Sequence, residues 1–265
     1  MGRLEDRIAI VVGAGQTAGE TIGNGRATAI TFAREGARLV LADRDATTLE
    51  ETAELARAEG ATVHTIVADV TTDDGPDRIV QAAIDAYGGI DVLHNNVGIG
   101  AGDGPPHHLT DEGYDRIMDV NLRAMWRTCR AAIPTLRASE HGAIVNISSL
   151  ASIASAGNLT AYKISKAGVN ALTQNLAVTN AKYGLRANAI LPGFIDTPMA
   201  NDAAARARGV ERSVVADARA AAVPLGRQGT AWDVANAALF LACDESAFIT
   251  GISLIVDGGQ AARVG

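Results

Sequence analysis

The sequence contains little cysteine and no long apolar run. Its 265 residues include two cysteines, Cys129 and Cys243, which are too few for a disulfide framework and form no metal-ligand cluster. We expect both to be reduced, buried thiols. No stretch of about 18 apolar residues occurs, so no membrane span is expected. Acidic residues stand near the N-terminus where a signal peptide needs an apolar run, and the sequence therefore predicts a cytoplasmic protein.

Basic and aromatic residues are scarce as well. Lys and Arg together number 23 against 30 Asp and Glu, which gives a formal net charge of -7, and aromatic residues make up 4%. This balance predicts neither a phosphate-binding surface nor a stacking platform for bases, so we expect no nucleic acid partner. The five histidines show no metal-ligand spacing, and no metal site is expected.

Short apolar runs alternate with longer helical patterns along the whole chain. The first run, Ile8–Val12, is apolar throughout, as a strand covered on both faces should be, and the last is Ser253–Val256. A long helical region follows Thr110, and we expect it to break near Pro134. The alternation predicts one α/β domain over residues 1–265, a Rossmann-type, doubly wound parallel sheet with helices on both faces.

A glycine-rich turn joins the first strand to the first helix. Gly13 ends the strand, and Gly23, Asn24 and Gly25 precede the helix. Glycines permit a tight turn and a close approach of the backbone to a ligand, and a helix N-terminus offers unpaired N–H groups to a pyrophosphate. Asp43 follows the second strand at the spacing of a carboxylate that binds a ribose 2′-hydroxyl. Together these features predict a dinucleotide site.

The same carboxylate favours NAD over NADP. Asp43 would repel the 2′-phosphate of NADP, whereas the neighbouring Arg44 could partly reverse that preference. The sequence therefore predicts NAD as the cofactor and NADP as the less favoured one.

Further short motifs follow in a fixed order. They are Gly13…Gly23-Asn24-Gly25, Asp69-Val70, Asn95-Asn96-Val97-Gly98, Asn121, Ser149, Tyr162-Lys163-Ile164-Ser165-Lys166, Pro192-Gly193 and Asp257-Gly258-Gly259. In this order and spacing the sequence resembles the compact, single-domain subgroup of the short-chain dehydrogenase/reductase family, from Leu4 to Gly259. The resemblance implies the same fold, a nicotinamide cofactor and a homotetramer built by the long helices and the C-terminal segment.

The candidate catalytic residues are Ser149, Tyr162, Lys166 and Asn121. Tyr162 and Lys166 are four residues apart, so they share one helix face, in a chain with only three lysines. A neighbouring ammonium lowers the pKa of a phenol, and the phenolate can then take the proton of an alcohol as hydride leaves the carbon. Ser149 follows a strand and can hold the substrate oxygen. In the family, the asparagine at the position of Asn121 helps to hold a proton-relaying water.

The resemblance also implies the cofactor contacts. Asp69 and Val70 would meet the adenine, and the loop from Asn95 to Gly98 would line the adenosine side. Tyr162 and Lys166 would face the nicotinamide ribose. The segment that contains Pro192, Gly193, Ile195 and Thr197 would hold the nicotinamide, with its carboxamide on Ile195 and Thr197.

One departure from the family pattern affects the glycine turn. Nine residues separate Gly13 from Gly23, where the family usually has three. An alternative alignment would use Gly13, Gly15 and Gly19 as the phosphate-facing glycines. The inserted segment, residues 14–22, either covers the cofactor phosphates or bulges into solvent.

These residues predict an NAD(H)-dependent oxidoreductase that interconverts a secondary alcohol and a ketone. The pocket would be formed by Leu150–Leu159, the loop Ile99–His108 and a mobile lid at about 194–222, whose Ala/Arg-rich part reads as helix. These segments are mainly small and apolar, which favours a medium-sized apolar or cyclic substrate such as a hydroxysteroid. A 3-oxoacyl carrier-protein reductase is an alternative, although such enzymes usually take NADPH. A non-catalytic nucleotide sensor is another, although here the catalytic set is complete.

Overall fold

The computed structural model describes residues 2–154 and 158–263, and a parallel sheet of seven strands runs through it. The sheet strands are β1 (Ile8–Val12), β2 (Arg38–Asp43), β3 (Val63–Val67), β4 (Val92–Asn95), β5 (Ala143–Ile147), β6 (Arg186–Pro192) and β9 (Ser253–Val256). Two short strands, β7 (Ile195–Asp196) and β8 (Gly229–Thr230), pair separately. The order β3-β2-β1-β4-β5-β6-β9 switches direction between β1 and β4, which is where such sheets bind ligands.

Helices cover both faces of this sheet. They are α1 (Asn24–Arg34), α2 (Ala46–Ala58), α3 (Gly75–Tyr87), α4 (Asp111–Met118), α5 (Ala124–Leu136), α6 (Thr160–Asn180), α7 (Ala203–Arg208), α8 (Arg212–Ala222) and α9 (Ala231–Ala242). Residues of α1, α2 and α9 form the core on one face, and residues of α3, α5 and α6 form it on the other. The predicted single-domain, doubly wound α/β fold is therefore confirmed.

The core consists mostly of small aliphatic side chains. All five residues of β1 and all five of β5 are buried. Ala29 and Ala33 of α1 pack into one face beside the fully buried Phe32. Burying one Val, Leu or Ile side chain contributes about 1.5–3 kcal/mol, and alanines let the helices approach the sheet closely. A low aromatic content is therefore compatible with a well-filled core.

The helical region after Thr110 differs from its prediction. The helical geometry changes at Asp119–Arg123, where one wide π-helical turn separates α4 from α5. The predicted break near Pro134 is wrong, because Pro134 lies inside α5, in its last turn. There the missing N–H removes a single helical hydrogen bond close to the helix end. The stretch 203–222 forms two helices, since Gly209 takes a left-handed conformation between them, with φ of 63°.

Among the described residues, no helix has both the length and the apolar character that a bilayer crossing requires. Within 2–154 and 158–263, no three His, Cys, Asp or Glu side chains gather in a way that could hold a metal ion. Cys129 and Cys243 are both buried and free, as the sequence predicted.

Candidate active site

The glycine turn after β1 forms an anion cradle at the switch point of the sheet. Gly13 has φ of 80°, and a Cβ at Gly25 would lie 1.9 Å from the Gly13 carbonyl oxygen. Only glycine therefore lets α1 approach the end of β1 this closely. Gly23 precedes α1 without a side-chain cap, so the first N–H groups of the helix have no side-chain acceptor. These N–H groups and the positive end of the helix dipole suit a phosphate.

The positions of the other glycines bear on the two alignments left open by the sequence. Gly15 lies against Asp43, and a Cβ there would be 2.8 Å from the carboxylate. Gly19 lies against the start of the 194–222 segment, where a Cβ would be 2.6 Å from Cβ of Pro198. Neither glycine occupies the helix N-terminus. The geometry favours Gly13, Gly23 and Gly25 over the alternative with Gly15 and Gly19.

Asp43 ends β2 beside the cradle, and backbone N–H groups hold its carboxylate. Oδ2 accepts from Gly15 at 2.9 Å, and Oδ1 accepts from Asp45 at 3.1 Å. Each carboxylate oxygen has further acceptor capacity, so the group can still bind a ribose hydroxyl. Arg44 is exposed and lies near Asp69. Hydrogen bonds from Thr71 lower the pKa of Asp69, and the Arg44 charge contributes in the same direction.

The inserted segment 14–22 is closed by the side chain of Gln16. Its amide Nε2 donates to the carbonyl oxygens of Thr17 and Thr21, and its Oε1 accepts from the N–H of Gly23 at 2.9 Å. Gln16 therefore joins the ends of the segment next to the cradle. This contact could not be predicted from the sequence, since glutamine is a common loop residue.

The tip of the inserted segment contacts the 194–222 segment. The N–H of Glu20 donates to Asp202 at 3.3 Å. Arg212 of α8 donates to Asp196 and to Asp202, and lies 3.8 Å from the Glu20 carboxylate. The tip residues 17–20 are exposed apart from these contacts, and a covering role for the insertion stays a prediction.

The residues predicted to line the adenosine side are Asp69, Val70, Asn95 and Gly98. Asp69 and Val70 follow β3, and the Asp69 carboxylate accepts from the hydroxyl and the N–H of Thr71. The Asn95 side chain is buried and donates to Asn146 of β5 at 2.9 Å, so only its backbone is free to line the adenosine side. The Asn95 side chain thus joins β4 to β5, and its position at the end of β4 did not predict this role.

The candidate catalytic residues Ser149 and Tyr162 lie together beyond the carboxyl end of β5. The Ser149 hydroxyl accepts from the N–H of Ala151 at 3.1 Å. Burial raises the pKa of Tyr162, and hydrogen bonding with the nearby Ser149 hydroxyl opposes this shift. The predicted lowering of this pKa by Lys166 is not found in the protein alone, because burial sets the direction of the shift and Ser149 is the side chain that opposes it.

Lys166 lies one turn below Tyr162 and is almost fully buried, with 2% of its surface exposed. Its Nζ donates to the carbonyl oxygen of Ile147 at 2.8 Å and lies 5.9 Å from the centre of the Tyr162 ring. Burial lowers the pKa of Lys166 to about 8. Ser148, the serine next to Ser149, donates its hydroxyl hydrogen to the backbone carbonyl of Lys166 at 2.9 Å. The adjacent serines therefore have different surroundings.

Asn121 lies in the wide turn between α4 and α5, and this turn directs its buried side chain toward the site. Its Oδ1 accepts from the N–H of Ile99 at 2.7 Å, and its Nδ2 donates to the Ile99 carbonyl and to the Ser165 hydroxyl. These bonds join the loop after β4 to α6. A water-relay role for Asn121 stays a prediction.

The segment predicted to hold the nicotinamide follows β6. Pro192 ends the strand, and a Cβ at Gly193 would lie 2.6 Å from Cβ of Asp257, so the backbone passes close to the C-terminal turn. Ile195 is in β7, and the side chains of Ile195 and Thr197 are buried. The chain therefore brings these four residues to the carboxyl edge of the sheet, on the same edge as the cradle.

Two further predictions concern the substrate pocket. Of the predicted wall Leu150–Leu159, residues 155–157 lie outside the described residues. His107 and His108 are exposed, with ring centres 4.3 Å apart, at the outer part of the loop Ile99–His108.

Asp103 is a site residue that the sequence reading missed. Its carboxylate accepts from the backbone N–H groups of Thr160, Ala161 and Tyr162, at 3.1, 3.1 and 2.7 Å. The available signal was indirect: Leu159 precedes α6 and has no polar side chain with which to cap it.

The cradle fits a dinucleotide. Thr21 Oγ1 and Asn24 Oδ1 are buried beside it without a hydrogen-bond partner in the described part of the chain. Buried polar atoms are normally paired, so these two are consistent with a site for a polar ligand. The uncapped helix N-terminus offers donors for a pyrophosphate, and Asp43 offers acceptors for a ribose.

Comparison with known proteins identifies related reductases. A family model described as enoyl-(acyl carrier protein) reductase matches residues 18–261. The 3-oxoacyl-(acyl-carrier-protein) reductase of Thermotoga maritima is 35% identical over 257 residues, which are 97% of this chain and 98% of that protein. Levodione reductase of Leifsonia aquatica is 34% identical over 262 residues, 98% of this chain and 96% of that protein.

Solved structures match as well. The crystal structure of carveol dehydrogenase from Mycobacterium avium in complex with NAD is similar, with a TM-score of 0.91 and 28% sequence identity. The match covers 99% of this chain and 100% of that one.

Proposed function

The chain belongs to the short-chain dehydrogenase/reductase family of oxidoreductases, and from this we propose that it interconverts a secondary alcohol and a ketone with NAD(H). The observation that carries the proposal is the meeting of Ser149, Tyr162 and Lys166 beyond β5, on the same sheet edge as the cradle. Hydride transfer to a carbonyl needs a proton donor beside the dinucleotide site, and a phenol in this position can be that donor.

Each catalytic side chain has a separate task. A bound nicotinamide would supply or accept the hydride, and its positive charge in the oxidised form would favour the phenolate of Tyr162. Tyr162 donates its phenolic proton to the carbonyl oxygen in reduction and takes the hydroxyl proton in oxidation. Ser149 holds the substrate oxygen against Tyr162. Lys166 holds a proton at Nζ beside the ring and would hold the ribose hydroxyls of the cofactor.

Burial of Tyr162 supports its role as the proton donor. Because loss of hydration raises the pKa of Tyr162, the phenol is neutral near pH 7 in the protein alone. A neutral phenol is the form that donates a proton to a ketone. Oxidation of an alcohol instead requires the phenolate, and the positive charge on Lys166 favours that form.

NAD is the proposed cofactor because of Asp43. Its carboxylate stands where it would meet the 2′-position of the adenosine ribose, and it carries no neutralising ion pair among the described contacts. A 2′-phosphate would therefore be repelled. The similar carveol dehydrogenase structure, which holds NAD, supports this choice.

A medium-sized, mostly apolar substrate is proposed from the residues around Tyr162. Glycines 98 and 100 line the loop side, and a Cβ at Gly100 would be 3.6 Å from the Tyr162 ring. The proposed lid, residues 194–222, exposes the apolar side chains of Met199 and Val214. Relatives named for levodione and carveol support an alcohol or ketone of this size.

We assign a lid function to residues 194–222, with the inserted segment 14–22 as its contact on the cofactor side. Closure of such a lid excludes water from the reacting groups. The ion pairs of Arg212 with Asp196 and Asp202, and the contact of Glu20 with Asp202, support this assignment.

A 3-oxoacyl carrier-protein reductase is the second candidate, and the Thermotoga maritima relative favours it. Asp43 argues against it as far as NADPH is concerned. A non-catalytic nucleotide sensor is disfavoured, since Ser149, Tyr162 and Lys166 are all present and close together.

Self-association is proposed from an exposed apolar face. Leu122, Trp126 and Leu172 line a groove between α5 and α6, and 43% of Trp126 is exposed. Exposed apolar groups of this kind mark association sites. We propose a homotetramer, which sedimentation analysis of the purified protein would test; a monomer at micromolar concentration would contradict it.

The experiment that tests the function is a panel of secondary alcohols, from linear to cyclic, with NAD, followed by absorbance of the reduced nicotinamide. A 3-oxoacyl thioester with NADH and NADPH is included. We expect turnover of apolar alcohols with NAD. Preference for the thioester with NADPH would favour the second candidate, and binding of NAD without turnover of any compound would favour the sensor.

A further inference from the structure

Helix α6, which carries Tyr162 and Lys166, has no cap from its own sequence. Leu159 stands at the capping position and provides no side-chain acceptor. The first N–H groups of a helix need acceptors, and a local Ser, Thr, Asp or Asn usually supplies one. Here the acceptor comes from 57 residues away, in the loop after β4.

Asp103 supplies that cap with both carboxylate oxygens. Oδ1 accepts from Thr160 and Ala161, each at 3.1 Å, and Oδ2 accepts from the N–H of Tyr162 at 2.7 Å. Oδ1 also accepts from the N–H of Gly104 at 2.8 Å, which holds the carboxylate in its own loop. A negative group at a helix N-terminus is further stabilised by the helix dipole.

The same loop contacts each catalytic element before it reaches Asp103. A Cβ at Gly98 would lie 3.0 Å from Nζ of Lys166. Ile99 exchanges two backbone hydrogen bonds with the Asn121 side chain. A Cβ at Gly100 would lie 3.6 Å from the Tyr162 ring. The loop is thus one wall of the site, and Asp103 fastens its far end to the turn that bears Tyr162.

We propose that Asp103 is a positioning residue for Tyr162. Its carboxylate fixes the first turn of α6 against the loop wall, and this fixes the distance between the Tyr162 phenol and the Ser149 hydroxyl. The inference rests on the proposed function, since it assumes that Tyr162 transfers the proton. It adds a residue outside the Ser149, Tyr162, Lys166 and Asn121 set.

The positioning role has a kinetic signature. Displacing a reacting group by about 1 Å can lower a rate about 100-fold, so Asp103→Ala should lower kcat about 10- to 100-fold. The cradle is formed by other elements, the turn after β1 and the start of α1, so the dissociation constant of NAD should change less than about threefold. Asp103→Asn keeps one oxygen for Thr160 and Ala161, and should restore part of kcat.

Asp91 provides a matched control. Its Oδ2 also accepts from a backbone N–H, that of Ile8, at 2.8 Å, but at the opposite edge of the sheet. Asp91→Ala should reduce thermal stability as Asp103→Ala does, while kcat stays at the wild-type value. Loss of kcat in proportion to lost stability in both variants would show a merely structural role for Asp103.

Hydrogen exchange of the intact protein gives a readout that does not depend on turnover. Amides of Thr160, Ala161 and Tyr162 should exchange faster in Asp103→Ala than in wild type, and at an intermediate rate in Asp103→Asn. Unchanged exchange would refute the cap. Faster exchange with unchanged kcat would refute positioning. If wild type turns over no alcohol or ketone while exchange responds as expected, the cap stands and the proposed function fails.

Discussion

Replacing the buried histidine of β4 with valine should change how the stability of the protein depends on pH. His94 has no exposed surface, and neither ring nitrogen has a hydrogen-bond partner among the described residues. Its ring meets Phe32 edge to face, with centroids 6.1 Å apart, and its sheet neighbours in register are Val11 and Val145. A proton on this ring would be a charge in an apolar core.

The magnitude follows from the two pKa values. Burial lowers the pKa of His94 from 6.5 to about 3. Between these values the unfolded chain binds a proton that the folded protein does not, so stability falls as the pH falls below 6.5. The full loss, reached well below pH 3, is about 5 kcal/mol for a shift of this size. At pH 5 it is about 2 kcal/mol.

Urea unfolding of wild type and His94→Val at pH 7.5 and pH 5, at one protein concentration, measures this difference. Other titrating groups affect both proteins alike, so the change between the two pH values should be about 2 kcal/mol larger in wild type. At pH 7.5 the variant should be at least as stable, since valine leaves no unpaired polar atoms. Equal pH dependence in the two proteins would refute the assignment of a buried, unpaired and neutral His94.

Three further results are expected. Asp43→Asn removes a charge that would repel a 2′-phosphate, so the ratio of kcat/KM for NAD to that for NADP should fall about tenfold, and an unchanged ratio would overturn the role of Asp43. Arg212→Met removes the ion pairs between α8 and the start of the lid, and it should raise the KM for NAD about fivefold. Arg57→Met, which removes an exposed ion pair with Glu50, should leave this KM unchanged. Equal effects of the two substitutions would exclude a lid contact. Cys129, whose pKa burial raises to about 12, should not react with a thiol reagent in the native protein at pH 8 and should react after unfolding; rapid native reaction would contradict its burial.

The elements that the sequence predicted well are those with a local cause. Ile8–Val12 could be recognised because a strand covered on both faces is apolar throughout. Tyr162 and Lys166 were predicted to share a helix face by their spacing, and α6 places them one turn apart. Gly13 and Gly25 could be assigned to the turn because only glycine tolerates that approach.

The features that escaped prediction depend on contacts between distant segments. Asp103 caps a helix 57 residues later, and Glu20 meets Asp202 across 182 residues. No local pattern encodes either pair. The direction of the Tyr162 pKa also depends on the tertiary structure, because burial can be assessed only once the surrounding segments are in place.

The central claim is that Tyr162 transfers the proton while the cradle binds NAD independently of it. Tyr162→Phe keeps the ring and removes the phenolic hydroxyl, and it tests this claim most directly when turnover and NAD binding are measured on the same preparation. We expect kcat to fall by about 100-fold or more, with an NAD dissociation constant within about threefold of wild type. Wild-type turnover in Tyr162→Phe would contradict the account.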